Sequence, residues 1–122
     1  MEIGNIKFKA KKTLDGKWIK GDLVHHKDSD NVWITDYENQ LTSPVNPSTV
    51  CQFTGLKDCE GKEIWEGDIV ERVIYDLFKG SSKVKAVIEY LNGAFVAITD
   101  GIPYSLYFKY IKVVGNKFDK EK

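Results

Sequence analysis

The chain has 122 residues and a mass of 13.9 kDa; 42% of its residues are hydrophobic and 30% charged, and 18 basic against 18 acidic side chains give a formal net charge of zero. A domain of this size hides roughly two thirds of its unfolded surface, so a core forms without disulfides or metals, and the composition argues against intrinsic disorder. Apolar runs such as Ala94–Ile98 fall far short of the ~18 residues of a membrane helix, nothing at the N-terminus resembles a signal peptide, and two cysteines make no disulfide framework, so the expectation is a soluble cytoplasmic chain with no membrane partner and no global attraction to polyanions.

Apolar residues recur at a spacing of two and many are β-branched or aromatic, which predicts strands rather than helices. The first predicted strand spans residues 6–11, with Ile6, Phe8 and Ala10 toward a core and Lys7, Lys9 and Lys11 toward water. Asp15-Gly16 predicts a tight turn into a return strand over 17–25. A third strand is expected over 32–37, a loop where Pro44 and Pro47 stand, and a strand over 49–53. Residues 54–66 form a glycine-rich stretch that is too broken for a long element and too apolar at Leu56, Ile64 and Trp65 for a loose linker, and it reads as an ordered connector. Strands return over 68–75, 82–91 and 94–99, the last two joined at Asn92-Gly93, the strongest hairpin signal in the chain. Asp100-Gly101 predicts another turn, 103–110 a short helix or irregular strand, and 111–114 a closing strand.

The resulting expectation is a mainly β fold. It has an N-terminal β-hairpin or meander unit (1–53), the connector (54–66), an SH3-like small β-barrel unit (67–118) and a tail (119–122). The layout that suggests the barrel is a Gly-Asp-hydrophobic opening, a long bent hairpin and a short last strand.

Charge is segregated along the chain, with net values of +4, −8 and +4 over residues 1–20, 21–76 and 77–122. Two readings stay open: basic ends folding back on an acidic middle, or subunits meeting through complementary faces. Metal binding finds little support, because Cys51 and Cys59 are separated by seven intervening residues and His25-His26 are strand neighbours whose side chains point to opposite faces. The acidic stretch 58–63 fails as a calcium loop at Lys62, and Gly55 to Lys62 fails as a phosphate loop in its glycine spacing. No cofactor motif is present. An enzyme could draw only on the connector acids Asp58, Glu63, Glu66 and Asp68. In Glu66-Gly67-Asp68 the simpler expectation is a turn in which the Asp68 side chain accepts nearby backbone N–H groups. A nucleic-acid interface could use Lys7, Lys9, Lys11 and Lys12, with Trp18, Trp33 and Phe8 for stacking, although Phe8 lies opposite in phase to the lysines.

The stretch from Val50 to Val70 closely resembles the signature of the YopX family of bacteriophage and prophage proteins, through Gln52-Phe53-Thr54-Gly55-Leu56-Lys57-Asp58 and Glu66-Gly67-Asp68-Ile69-Val70. The opening around Ile6–Ala10 and Lys17–Leu23, and the close at Ile111–Asn116, are similar to the family's as well, while Lys9 and Cys51 stand where its pattern has Arg and Gly. The resemblance implies a mainly β fold with an SH3-like second half, a phage or prophage origin in a bacterial host, and a homo-oligomer. It implies no activity and no cofactor. Gln52, Phe53, Thr54, Gly55, Leu56, Asp58, Gly61, Lys62, Glu63, Glu66, Gly67 and Asp68 are therefore shared motif residues of unassigned role. A non-enzymatic module acting by protein contact, with itself or with a host or phage protein, is the leading expectation, and 15 aromatic residues are more than a small core must hide.

Overall fold

The spacing of two carries through almost the whole chain as antiparallel strands. The computed structural model describes residues 2–106 and 110–119. Among them lie strands β1 (Phe8–Lys11), β2 (Trp18–His25), β3 (Val32–Asp36), β4 (Thr42–Val45), β5 (Cys51–Lys57), β6 (Glu63–Trp65), β7 (Asp68–Asp76), β8 (Gly80–Leu91), β9 (Ala94–Thr99), β10 (Ile102–Tyr104) and β11 (Ile111–Asn116). The chain divides into two compact units, residues 1–53 and 54–122, each with its own hydrophobic cluster.

In the first unit the strands run in the order β4-β3-β2-β1-β5. Ala10, Ile19, Ile34 and Val45 project to one face and are buried, with Phe8, Leu23, Val32 and Val50 partly buried against them. Ile19, Ile34 and Val45 each contribute roughly 1.5–3 kcal/mol by leaving water. Gly21, paired with Phe8 on one side and Asp36 on the other, sits where a Cβ would fall 1.8 Å from the Thr35 carbonyl oxygen. Only glycine permits that approach of β2 to β3.

Three local features differ from the sequence expectation. Strand β1 begins at Phe8 rather than Ile6, because a 3-10 turn over Ile3–Asn5 precedes it and leaves Ile6 at its C-cap, 38% exposed. The Asp15-Gly16 turn is not a two-residue hairpin; residues 12–17 form a wider loop closed by Lys12 N–H to the Lys17 carbonyl and Gly16 N–H to the Lys12 carbonyl, both 2.9 Å. Within it the Lys17 N–H donates to Asp15 at 2.9 Å and holds that carboxyl below its ordinary value, with Lys12 adding from 3.4 Å. The expected loop at Pro44 is instead strand β4. Pro44 pairs with Trp33 in the terminal strand of the sheet order, where a missing N–H is tolerated. The other side of β4 meets the end of β1 through the Lys12↔Val45 bridge and the bonds Asn46 N–H to Lys11 carbonyl (2.9 Å) and Thr13 N–H to Pro44 carbonyl (3.1 Å).

In the second unit the order is β10-β9-β8-β7-β11, every pairing antiparallel. Val70, Ala86, Ile88, Ala97, Ile111 and Val113 supply its core together with Ile64. Asn92-Gly93 and Asp100-Gly101 are two-residue hairpin turns, as their dipeptides predict. All four residues have positive φ (50°, 84°, 51° and 77°), the geometry whose twist matches that of the flanking strands. Among the described residues this sheet is open, with β10 and β11 at opposite edges, so the closed barrel expected from the sequence is not what the strand pairing gives. The region expected as short helix or irregular strand yields β10, with 107–109 outside the described residues, as are 120–122 of the expected tail. The segregated charge dissolves at this level, because each unit is neutral by itself, with seven acids and seven bases in the first and eleven of each in the second.

Candidate functional site

The connector motif is built around two buried carboxylates. Strand β5 ends at Lys57, and Asp58 then turns the chain back: its Oδ1 accepts from the N–H groups of Glu60 (2.9 Å) and Lys62 (2.8 Å), and its Oδ2 accepts from the Val113 N–H (2.9 Å). The neighbouring Cys59 N–H donates to the Ile111 carbonyl at 3.0 Å. The turn thus supplies β11 with an acceptor and a donor along the edge that faces away from β7, as a further strand would, and blunts that edge. Desolvation of Asp58 pushes its carboxyl upward, and the three N–H donors from Val113, Lys62 and Glu60, helped by the Lys62 charge, outweigh it, so the group lies below its ordinary value.

Asp68 does the same at the start of β7. It is 2% exposed; Oδ2 accepts from the Trp65 N–H at 2.8 Å, and Oδ1 accepts from the Asn116 amide Nδ2 at 3.0 Å. Asn116 in turn accepts from the Phe118 N–H at 2.9 Å. Between them Gly67, at φ 86°, donates to the Ile88 carbonyl (2.7 Å) and accepts from the Lys117 N–H (2.9 Å), so one turn ties β6, β8 and the end of β11 together.

The other motif residues flank these two anchors. Thr54 Oγ1 donates to the Ile64 carbonyl at 2.7 Å and accepts from the Leu56 N–H, while Gly55 and Gly61 also take positive φ. Phe53 is buried beneath the Lys7 ammonium, which stands 4.6 Å from its ring centre, and Gln52 pairs with Phe8. Glu63 and Glu66 are half-buried on either side of the buried Ile64-Trp65, Leu56 is partly exposed, and the Lys62 side chain is exposed. Of the four acids open to an enzyme, Asp58 and Asp68 thus bind backbone and amide donors of the fold itself.

The lysine row differs from its expected placement in water. Lys7, Lys9, Lys11 and Lys12 are all half-buried. Lys9 and Lys11 lie over the Trp18 ring at 4.7 and 5.4 Å, and Lys12 is 3.4 Å from Asp15. Long lysine stems cover apolar surface while the heads sit on aromatic faces, and phase alone could not reveal this. Trp18 and Trp33 are half-buried, and Phe8 packs on the core face, as its phase predicts. Among the described residues no group of three or more His, Cys, Asp or Glu could hold a metal; Cys51 is buried, Cys59 exposed, and His26 meets the Trp33 ring edge-on at 5.3 Å. No helix among the described residues is long and apolar enough to cross a membrane.

One feature escaped the sequence reading. β11 pairs with β7 no further than Arg72, and β9 pairs with β8 only from Val87. Beyond those points β7 and β8 continue as a two-stranded ribbon to a turn at Leu77-Phe78-Lys79, closed by Gly80 at φ 75°. Residues 74, 75 and 77–83 are all exposed; Tyr75 is 73%, Leu77 100% and Phe78 96% open to solvent. The signal was available in the sequence: an apolar pair stands where a hairpin turn normally places Gly, Asn or Asp.

These features define a two-unit antiparallel β protein whose most specific stretch holds backbone in place and whose most exposed apolar side chains ride on a projecting hairpin. The chain belongs to the YopX protein family, whose pattern matches residues 7–121, nearly its whole length. No curated protein matches it.

Proposed function

We propose that this chain is a non-enzymatic module, encoded by a phage or prophage and working in the cytoplasm of the bacterial host, that acts by protein contact through the β7–β8 arm. The single observation that carries the reading is the tip, where Leu77 and Phe78 are almost wholly exposed. A two-stranded ribbon is only marginally stable by itself in water, and contiguous exposed apolar surface marks interaction sites. Taking the two side chains out of water is worth about 3–6 kcal/mol of transfer free energy, against which the ordering costs of association are set. The order of the second sheet, with the last strand beside the first of a four-strand meander, supports an SH3-like ancestry for this unit.

The test is a double variant, Leu77→Asp with Phe78→Asp. Its far-UV circular dichroism should match wild type, because both positions lie outside the core. It should lose self-association in sedimentation, or lose whatever protein the tagged wild type retains from nuclease-treated host lysate. A variant that assembles and captures as wild type does would overturn the reading.

A further inference from the structure

We infer that the free edge of β8 on the arm takes an added strand from another protein, an extended acidic segment whose Asp or Glu side chains alternate along one face. This rests on the arm as contact element and adds the chemistry of the partner it holds. β9 pairs with β8 from Leu91 to Val87 and then turns away into β10. Among the described residues, Gly80–Lys85 therefore pairs with β7 on one side and with no strand on the other. Lys85 fixes the direction of the backbone there, because its carbonyl accepts from Thr99 Oγ1 at 3.0 Å and so points to the β9 side. Backbone groups alternate in direction along a strand, and the N–H and C=O of Lys83 and Ser81 point the same way, past the end of β9. Both residues are exposed, as strand addition to a sheet edge requires.

Charge selects the occupant. Between Leu77 and Ile88 the sequence has Lys79, Lys83 and Lys85 and no acid, and all three lysines are exposed. Lys83 and Lys85 stand two apart and share one face of the strand. Glu71 lies opposite Lys85 in the register, yet among the described residues neither it nor any other acid forms an ion pair with the three. Lys9 and Lys11, by contrast, lie over the Trp18 ring, and Lys117 is 3.3 Å from Glu89. An edge charged in this way repels a second copy of itself and attracts an acidic strand, because opposite charges directly across two strands add to the backbone pairing. A nucleic acid would meet the same lysines, but it has no ladder of N–H and C=O groups with which to use the backbone edge.

The experiment follows the fluorescence anisotropy of a short labelled peptide of alternating Glu and Thr as the full chain is added. A peptide with Gln in place of Glu and a labelled oligothymidylate are titrated beside it. The Glu peptide should bind, and the Gln peptide should bind more weakly by about tenfold. The variant Lys83→Glu/Lys85→Glu should lose the Glu peptide and gain a peptide of alternating Lys and Thr, a reversal that a merely structural role would not produce. Circular dichroism checks its fold. In wild type, saturating Glu peptide should slow hydrogen exchange at the Ser81 and Lys83 amides, a measurement that stands whether or not the variant folds. A Glu peptide that does not bind, that binds the charge-reversed variant as well as wild type, or that leaves those two amides unprotected would overturn the inference. Oligothymidylate binding more tightly than the Glu peptide would overturn it too, giving the lysines to nucleic acid. The broader reading is decided separately: if the Glu peptide fails while Leu77→Asp/Phe78→Asp still abolishes capture, the arm stands without this edge, and if neither variant alters capture or assembly, both fall.

Discussion

Replacing Asp58 by Asn isolates the turn that fastens the connector to β11. Asn has the same size but only one acceptor oxygen, whereas Asp58 uses Oδ1 for Glu60 and Lys62 and Oδ2 for Val113. Whichever way the amide is placed, its NH2 group faces at least one N–H donor. Val113 is buried, so its N–H has no water to turn to; an orphaned buried donor costs about 1–3 kcal/mol, and the bonds that survive lose the strength lent by a charged acceptor. Together this is roughly 2–4 kcal/mol, a large part of the ~5–15 kcal/mol that holds a domain folded. With an m-value of about 1–3 kcal/mol/M, the urea midpoint should fall by roughly 1–2 M. The pH dependence supplies a second check. Because the folded carboxyl lies below its ordinary value, its contribution is fully present above about pH 4 and is lost as pH falls through the folded value. The gap between wild type and Asp58→Asn should be constant near neutrality and narrow in acid. An Asn variant with the wild-type midpoint, or a gap unchanged by acid, would refute the account of this turn.

Two further substitutions probe each unit separately. Gly21→Ala places a methyl 1.8 Å from the Thr35 carbonyl oxygen and 2.7 Å from its carbon, both backbone atoms that cannot swing aside. The β2–β3 pair must separate, at about 3 kcal/mol or more, and a thermal melt that does not move would contradict the Gly21↔Asp36 register. Asn116→Asp sets a second carboxylate against Asp68, where the amide now donates at 3.0 Å in a buried setting. Like charges so close cannot both ionise without penalty. The variant should be less stable than wild type by about 3 kcal/mol at neutral pH and recover as acid protonates one of the pair; a loss of stability independent of pH would count against the contact.

Turn chemistry and strand alternation are local properties, and what depends on them was legible in the sequence. Asn92-Gly93 and Asp100-Gly101 became two-residue turns because positive φ is written into the dipeptide itself. The bonding of Asp68 to a nearby N–H also followed from its place after Glu66-Gly67. Features that depend on partners far along the chain were not legible. Asp58 reaches Val113 across 55 residues and Asp68 reaches Asn116 across 48, so no spacing rule could pair them. The same holds for Pro44, whose place in β4 depends on Trp33 on one side and on Lys11 to Thr13 on the other.

The lysines show a subtler limit. Alternation assigns a face correctly but says nothing of what lies on it, and the face shared by Lys7, Lys9 and Lys11 also carries Trp18 and Phe53. A residue's phase therefore predicts burial only where that face is otherwise polar. Leu77 and Phe78 invert the case: a strand reading expects large apolar residues to be buried, and it has no term for a ribbon that outruns both its neighbours. How far each strand is paired decides whether an apolar residue is buried in a core or left exposed. In this chain that boundary falls between Arg72, which is buried, and Tyr75, which is not.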